Sequence, residues 1–334
     1  MIKYSNRASY IIYNYLLSNY EGQGYWLIPL NACPIVPITF LTANIPFKLV
    51  DIESTTYCID RKAVSKAIKD PDCIGLLFIH TYGFNYSVEQ FFSDIKSKRK
   101  DVKIIEDKCL STPSFEAQAI STHADLTVFS TGYAKYADIG RGGYGFIKES
   151  SSYREYPTNY NPQSLKKLTD YYKGCLSQHT CLQIGNSFWL DDKSLSPSEI
   201  VQYQEMVLAK RSEVHMHKQE LNDIYSEFIP REFWLSVKDQ RLDTWRFNIM
   251  VPERDELVTE IFDKGLFAST HYQPLDKVLG VEVLGKGTES YALNNHVINL
   301  FNDQNFTIDM ALELAKLVAG NLKLRRRKYV YSIQ

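Results

Sequence analysis

The chain has 334 residues, 44% hydrophobic and 23% charged, a composition that excludes a disordered, fibrous or collagenous protein. Its 38 basic and 39 acidic side chains leave a net charge of −1, so charge offers no reason to expect nucleic acid or an anionic membrane as a partner. Six scattered cysteines without a CxxC pair exclude a readable zinc knuckle or disulfide framework and suit reduced thiols in a cytoplasm.

No apolar stretch approaches about 18 residues, and the opening MIKYSNRASYIIYNYLL lacks a cleavage pattern, so neither a membrane span nor a signal peptide is expected. Ile11, Ile12, Tyr15 and Leu16 recur at helical spacing behind Asn6, an N-cap residue type, and predict a first helix over 7–18 closed by Gly22 and Gly24. Short apolar runs follow: YWLIPL, a Pro-bounded segment to FKLVDI, then IGLLFIH, VKIIED, DLTVFS and GGYGFIK, with helices near 61–69 and 87–98 between them. Buried strands alternating with amphipathic helices predict an α/β protein whose mostly parallel central sheet is sandwiched by helices.

The pattern changes near residue 150. The stretch SSSYREYPTNYNPQSLKK shows little periodicity, and the aromatic-rich run from Tyr153 to Trp189 reads as an irregular segment that either drapes over a neighbouring subunit or forms a mobile surface loop. A long helix is expected from Ser198 to about Ile224, started by Ser196, Pro197 and Glu199. Strand WRFNIMV, helix RDELVTEIFDKG, strand FASTHY, a helix near 290–300 and a last helix over 308–324 complete a smaller α+β unit. The division expected is a large cofactor-binding domain over 1–200 and a small C-terminal domain over 201–334.

Ligands of open α/β sheets bind beyond the carboxyl ends of the strands, so the residues after each predicted strand carry the chemistry. Those ends present His80 with Tyr82 and Gly83, then Glu106 and Asp107, then Ser130, and finally Lys135 in a Gly-flanked loop. Alone, a strand-end Asp is an ordinary helix cap and a loop Lys an ordinary solvated charge. Together, an acid, a hydroxyl and a lysine on one rim are what pyridoxal phosphate requires. The acid pairs with the protonated pyridine nitrogen, the lysine forms the Schiff base, and the hydroxyl holds the phosphate.

At these residues the chain resembles a known family. EDKCLSTPSFEAQAISTHADLTVFSTGYAKYADIGRGGYGFI is similar to the DegT/DnrJ-type sugar aminotransferases among the fold-type I pyridoxal phosphate enzymes, with Lys135 five residues after Ser130 and a Gly-Gly turn behind it. NRASYIIYNYL resembles the family's phosphate-binding turn and helix, and IHTYGF its H-x-Y-G. RDELVTEIFDKGLFASTHYQPL resembles its late helix leading to a His-Tyr pair. The chain departs from the pattern at Leu110, where His or Gln is usual, at Asn6-Arg7-Ala8-Ser9, where many members carry Gly-Thr, and at Ala32-Cys33, where an aromatic often stacks on the ring. A lysine rather than histidine at 135 disfavours the sugar dehydrase branch.

The resemblance implies an aspartate-aminotransferase-like fold and a pyridoxal 5'-phosphate-dependent aminotransferase that passes an amino group from glutamate or glutamine to a keto-sugar, expected to be nucleotide-linked, in amino-sugar and cell-surface polysaccharide biosynthesis. Lys135 and Asp107 would be catalytic. Asn6, Arg7, Ala8, Ser9, Cys33, His80, Asp107, Leu110, Ser130, Lys135 and Asn186 would surround the cofactor, and His271 and Tyr272 the substrate. A homodimer is implied, with Asn186 or a polar neighbour reaching the partner's cofactor phosphate. No metal is expected, since His215 and His217, two apart on a helix, do not share a face. The Arg325–Lys328 run reads as a solvated end after the last helix. Two alternatives remain open: a degenerate member with a binding or regulatory role, and a pyridoxal phosphate enzyme acting on amino acids.

Overall fold

The structure, a computed structural model, describes residues 1–235 and 244–331, with side chains for all of these but 324–331. In chain order, the first half forms β1 (Ile2–Ser5), α1 (Ala8–Asn19), β2 (Tyr25–Pro29), α2 (Ile35–Thr42), β3 (Phe47–Val50), α3 (Arg61–Ala67), β4 (Cys73–Ile79), α4 (Glu89–Lys98), β5 (Lys103–Asp107), β6 (Leu126–Ser130) and β7 (Gly143–Ile147). The remainder forms α5 (Pro162–Gln178), α6 (Pro197–Phe228), β8 (Phe247–Met250), α7 (Arg254–Asp263), β9 (Ala268–Ser269), α8 (Asp276–Leu279), β10 (Val283–Leu284), α9 (Thr288–His296), β11 (Val297–Leu300) and α10 (Ile308–Tyr331).

Eight strands make one sheet in the order β1-β7-β6-β5-β4-β2-β3-β10. Strand β7 runs antiparallel to both neighbours, and every other pair is parallel. The apolar runs are continuous because both faces are covered. Alternate residues serve opposite layers: Ile28, Leu49, Leu77 and Ile105 pack with α1 and α2, while Leu27, Val50, Leu76 and Ile104 pack with Val64 of α3, Ile68 just after it, and Phe92 and Ile95 of α4. β2 accommodates Trp26 by passing it over Gly75 on β4, where an added Cβ would lie 2.4 Å from the indole.

A second, antiparallel sheet runs β8-β11-β9. Phe247, Ile249 and Leu300 from it pack against Leu221 and Tyr225 of α6, Leu257 and Ile261 of α7, and Leu314 and Val318 of α10. The two-residue β10 returns to the edge of the large sheet, so the C-terminal half grips both sheets.

The structure corrects three readings. The stretch expected to be irregular contains α5: Asn161 accepts the Gln163 amide at 2.9 Å, Pro162 opens the helix, and Leu165, Leu168, Tyr172, Cys175 and Leu176 lie at helical spacing against the large core. The helix expected near 290–300 stops at His296, where the buried Val297–Leu300 run pairs with β8 instead. Residues 325–328 lie within α10 rather than after it, and their side chains are outside the described residues. The capping box of Ser196 and Glu199 does start α6, which continues to Phe228. No helix among the described residues is long and apolar enough to cross a membrane.

Candidate active site

The carboxyl ends of β5 and β6 and the start of β7 define one rim. β5 presents Glu106 and Asp107 to opposite faces, and the two acids meet different fates. Glu106 goes into the interior. There it meets His80 Nε2 at 2.9 Å and Lys108 Nζ at 3.4 Å, and accepts the Thr127 hydroxyl at 2.8 Å and the Ser121 amide at 3.1 Å. Asp107 is 4% exposed, and its Oδ1 accepts the Cys109 amide at 2.8 Å.

Burial alone pushes the Glu106 carboxyl up, but the His80 hydrogen bond and charge, the Lys108 ammonium and the Thr127 hydroxyl outweigh it and pull it down to about 2. A carboxyl lowered from 4.5 contributes stability that is complete above about pH 4.5 and is lost as pH falls through about 2. The urea midpoint should therefore drop over that acid interval. Glu106→Gln should flatten that drop and, by breaking a buried charge network, lower neutral-pH stability by about 3 kcal/mol. Urea titrations at a series of pH values check both, and an acid limb of equal depth in the variant would contradict the assignment.

Lys135 lies in the loop from β6 to β7, half-buried, its amine without a partner among the described residues. The residue before it, Ala134, takes a left-handed φ of 57° and donates its amide to Asp138 Oδ2 at 2.7 Å, while Asp138 Oδ1 accepts Gly140 N. That acid thus closes the loop that turns the lysine out of the strand direction.

Ser130, at the end of β6, pairs in register with Gly143, and its hydroxyl makes only a 3.5 Å contact with Gly142 O. Gly142 N donates to Asn6 O at 2.8 Å, and Arg7 bridges to Gly142. An added Cβ on Gly143 would lie 2.5 Å from Ala8 N, so glycine is what lets α1 begin against this turn. Arg7 is the N-cap of α1 with extended backbone and no side-chain capping bond. The amides of Ala8 and Ser9, which have no intrahelical acceptor by position, therefore point free donors and the positive end of the helix beside Ser130.

The electrostatic neighbours complete the rim. Cys109 is raised well above the usual thiol range by burial and by the Asp107 charge, with the Lys135 cation opposing and Cys33 adding to the rise. Tyr272 is raised by burial and by Cys33, Tyr82, Asp107 and Cys109. His271 keeps an exposed edge, but the recess that takes up its ring, with the Arg246 and Lys135 cations beside it, pushes it down to about 4. It is therefore neutral at physiological pH. Asp107, Cys109, Cys33, Tyr272, His271 and Lys135 accordingly lie near enough to influence one another's charge.

Several expected contacts fall elsewhere. His80 is fully buried with Nδ1 at 3.1 Å from Phe84 O and Nε2 on Glu106, which places it behind the rim as a support for Glu106. Tyr272 is buried on the Asp107 side, its ring parallel to Tyr82 at 6.4 Å and to Trp245 at 6.5 Å, so of the His-Tyr pair His271 alone presents an open edge. Leu110 packs in that same cluster. Asn6 turns its amide nitrogen to Asp191 at 3.1 Å, leaving its backbone carbonyl as its contribution to the turn. Asn186 is exposed, its Oδ1 taken by the Phe188 amide. Trp245 and Arg246 were missed; the only signal was a Trp-Arg pair opening a strand. No cluster of metal-ligating side chains occurs among the described residues.

The donor set is chemically mixed: free amides at the start of α1 and a hydroxyl at the end of β6, an unpartnered amine in the loop after β6, and a buried carboxylate at the end of β5. A molecule carrying a phosphate, a reactive carbonyl and a basic ring nitrogen suits that chemistry, and pyridoxal phosphate is such a molecule. Fold and rim together define a pyridoxal phosphate-dependent aminotransferase. The family model described as the DegT/DnrJ/EryC1/StrS aminotransferase family matches residues 41–303, most of the chain, and the chain belongs to that family.

The solved structures it resembles agree on the fold. A DegT DnrJ EryC1 StrS aminotransferase from Brucella abortus superposes with a TM-score of 0.70 at 14% identity, over 96% of this chain and 85% of its own. DesV of S. venezuelae gives 0.69 at 16% identity, covering 96% and 84%. The sugar aminotransferase CalS13 from Micromonospora echinospora gives 0.68 at 13% identity, covering 96% and 87%. No curated protein sequence matches the chain.

Proposed function

We propose that the protein transfers an amino group from glutamate or glutamine to a nucleotide-linked keto-sugar, with Lys135 as the attachment and proton-transfer residue and Asp107 as the partner of the ring nitrogen. The carrying observation is the partnerless amine of Lys135 in the loop that follows β6, on the rim that also carries the open N-terminus of α1 and Asp107 at the end of β5. The name of CalS13 as a sugar aminotransferase supports the substrate class.

When bound, the cofactor supplies an electron sink that makes the donor's α-hydrogen acidic. Lys135 would hold the cofactor through its amine and, once that amine is free, would carry the proton of the donor's α-carbon, with neutral His271 the other base near it. Asp107 keeps a proton on the ring nitrogen, because an adjacent anion favours the cationic form. Ser130 with the Ala8 and Ser9 amides binds the phosphate, and Ser9 adds its own hydroxyl. Neutral His271 offers one donor and one acceptor to the sugar at the cleft edge.

The residues from 1 to about 200 form the cofactor-binding part in this reading, and those after it cover the cleft. A homodimer in a reducing cytoplasm suits the six free thiols and the exposed aromatics Tyr133, Tyr171 and Phe188. Light scattering at micromolar concentration should give twice the chain mass, and a stable active monomer would rule the shared site out. A non-catalytic reading is favoured by Leu110, which offers no hydrogen bond where the family usually has one. The purified protein decides: a visible band that borohydride bleaches, and amino transfer from glutamate to a keto-sugar nucleotide, support the enzyme. A colourless protein that takes up no cofactor supports the alternative.

A further inference from the structure

We infer that Trp245 is a positioning residue for Lys135, an inference that rests on the role given to that lysine. The indole Nε1 donates to Ala134 O at 2.5 Å, the carbonyl of the peptide that joins Ala134 to Lys135. Ala134 is the one left-handed residue of the loop that is not glycine, a conformation that costs energy unless its surroundings hold it. Asp138 fixes the amide side of Ala134 and Trp245 fixes the carbonyl side, so the direction in which Lys135 leaves the backbone is set from both ends.

Trp245 is itself anchored on several elements. Its backbone amide donates to Tyr82 O at 3.1 Å, and its carbonyl accepts Lys218 Nζ of α6 at 2.8 Å. Lys218 is 1% exposed, and its ammonium also donates to Asn302 Oδ1 at 2.7 Å and lies 5.2 Å from the Tyr136 ring centre. The indole is parallel to Tyr272 and edge-on to His271, at 5.6 Å between ring centres. The strut thus runs from α6 and the end of β4 through Trp245 to the lysine loop. A buried ammonium bonded to the Trp245 carbonyl is a costly device for packing alone, and the indole of the residue it anchors bonds the peptide before Lys135.

The discriminating variant is Trp245→Phe, which keeps a ring beside Tyr272 and His271 but removes the N–H. Apo-protein is mixed with pyridoxal phosphate, and covalent attachment to Lys135 is timed by borohydride trapping and peptide mass spectrometry. Non-covalent retention is measured separately with the 4'-deoxy cofactor analogue, which cannot react with an amine. Attachment and kcat should fall by roughly tenfold to a hundredfold, as expected for a reacting group moved by about an ångström, while analogue affinity and the KM for glutamate stay within about threefold.

Equal losses in attachment and analogue affinity would mark Trp245 as merely structural, and unchanged attachment would overturn the inference. Should the Phe variant not fold, Lys218→Met removes the anchor on the Trp245 carbonyl. It should slow attachment in the same selective way, and an unchanged rate would again overturn the inference. Wild-type protein that traps cofactor on a lysine other than Lys135 would instead overturn the proposed active site.

Discussion

Lys135→Ala should yield a folded protein that holds no covalently trapped cofactor and transfers no amino group, with turnover down on the order of 10⁴-fold or more. The stability side follows from the environment. Lys135 is half-buried, makes no ion pair or side-chain hydrogen bond among the described residues, and donates from its backbone to Gly132 O at 3.2 Å, a bond that Ala retains. Its removal should therefore shift stability by only about 0.5 kcal/mol, in either direction. The proposed role therefore predicts a large loss of activity with little loss of stability. Borohydride reduction followed by peptide mapping reads the attachment, and a thermal melt reads the fold. Cofactor trapped at Lys108 or Lys218 in the variant, or in the wild type, would sink the assignment.

How far the sequence carried this site depends on the kind of residue. The large sheet was legible because its strands are buried on both faces: IGLLFIH is apolar up to its final histidine and VKIIED carries only Lys103 before its terminal acids, as covered parallel strands do. Asp107 and Ser130 were read from strand ends and Lys135 from a Gly-flanked loop, and they lie at the ends of β5 and β6 and in the loop that follows β6. Helix α5 was not, because its apolar positions are diluted by exposed lysines and tyrosines and it buries only one stripe; the Asn161-Pro162 start was the overlooked sign. Strand β11 was hidden inside a helical pattern, since three apolar residues and Asn299 are too short a run to show a period of their own. His80 shows the limit for side chains: a histidine beside a strand-end acid fits a cofactor partner and a buried ion pair equally well in sequence, and only the contact with Glu106 separates them. Trp245 could not be read at all, because its bond to Ala134 spans chain segments that no local pattern links.

Asp107→Asn tests the other end of the cofactor and isolates charge from shape. Asn retains an oxygen to accept the Cys109 amide, so the local turn and the end of β5 should survive, and the phosphate donors at α1 and Ser130 are untouched. What changes is the group facing the ring nitrogen: an anion that favours the protonated ring becomes a neutral amide whose N–H favours the unprotonated one. An unprotonated ring withdraws far less charge from the donor's α-carbon, so Lys135 would face a much less acidic proton. Turnover should fall by roughly 10³-fold or more, equivalent to about 4 kcal/mol of lost transition-state stabilisation, while cofactor affinity weakens by no more than about tenfold. Removing the anion should also relieve its upward push on Cys109, making that thiol easier to alkylate, a readout independent of turnover. A cofactor methylated on the ring nitrogen carries the positive charge permanently and should restore part of the lost turnover in the Asn variant. Near-normal turnover with ordinary cofactor, or no gain from the methylated form, would show that Asp107 does not act through the ring nitrogen.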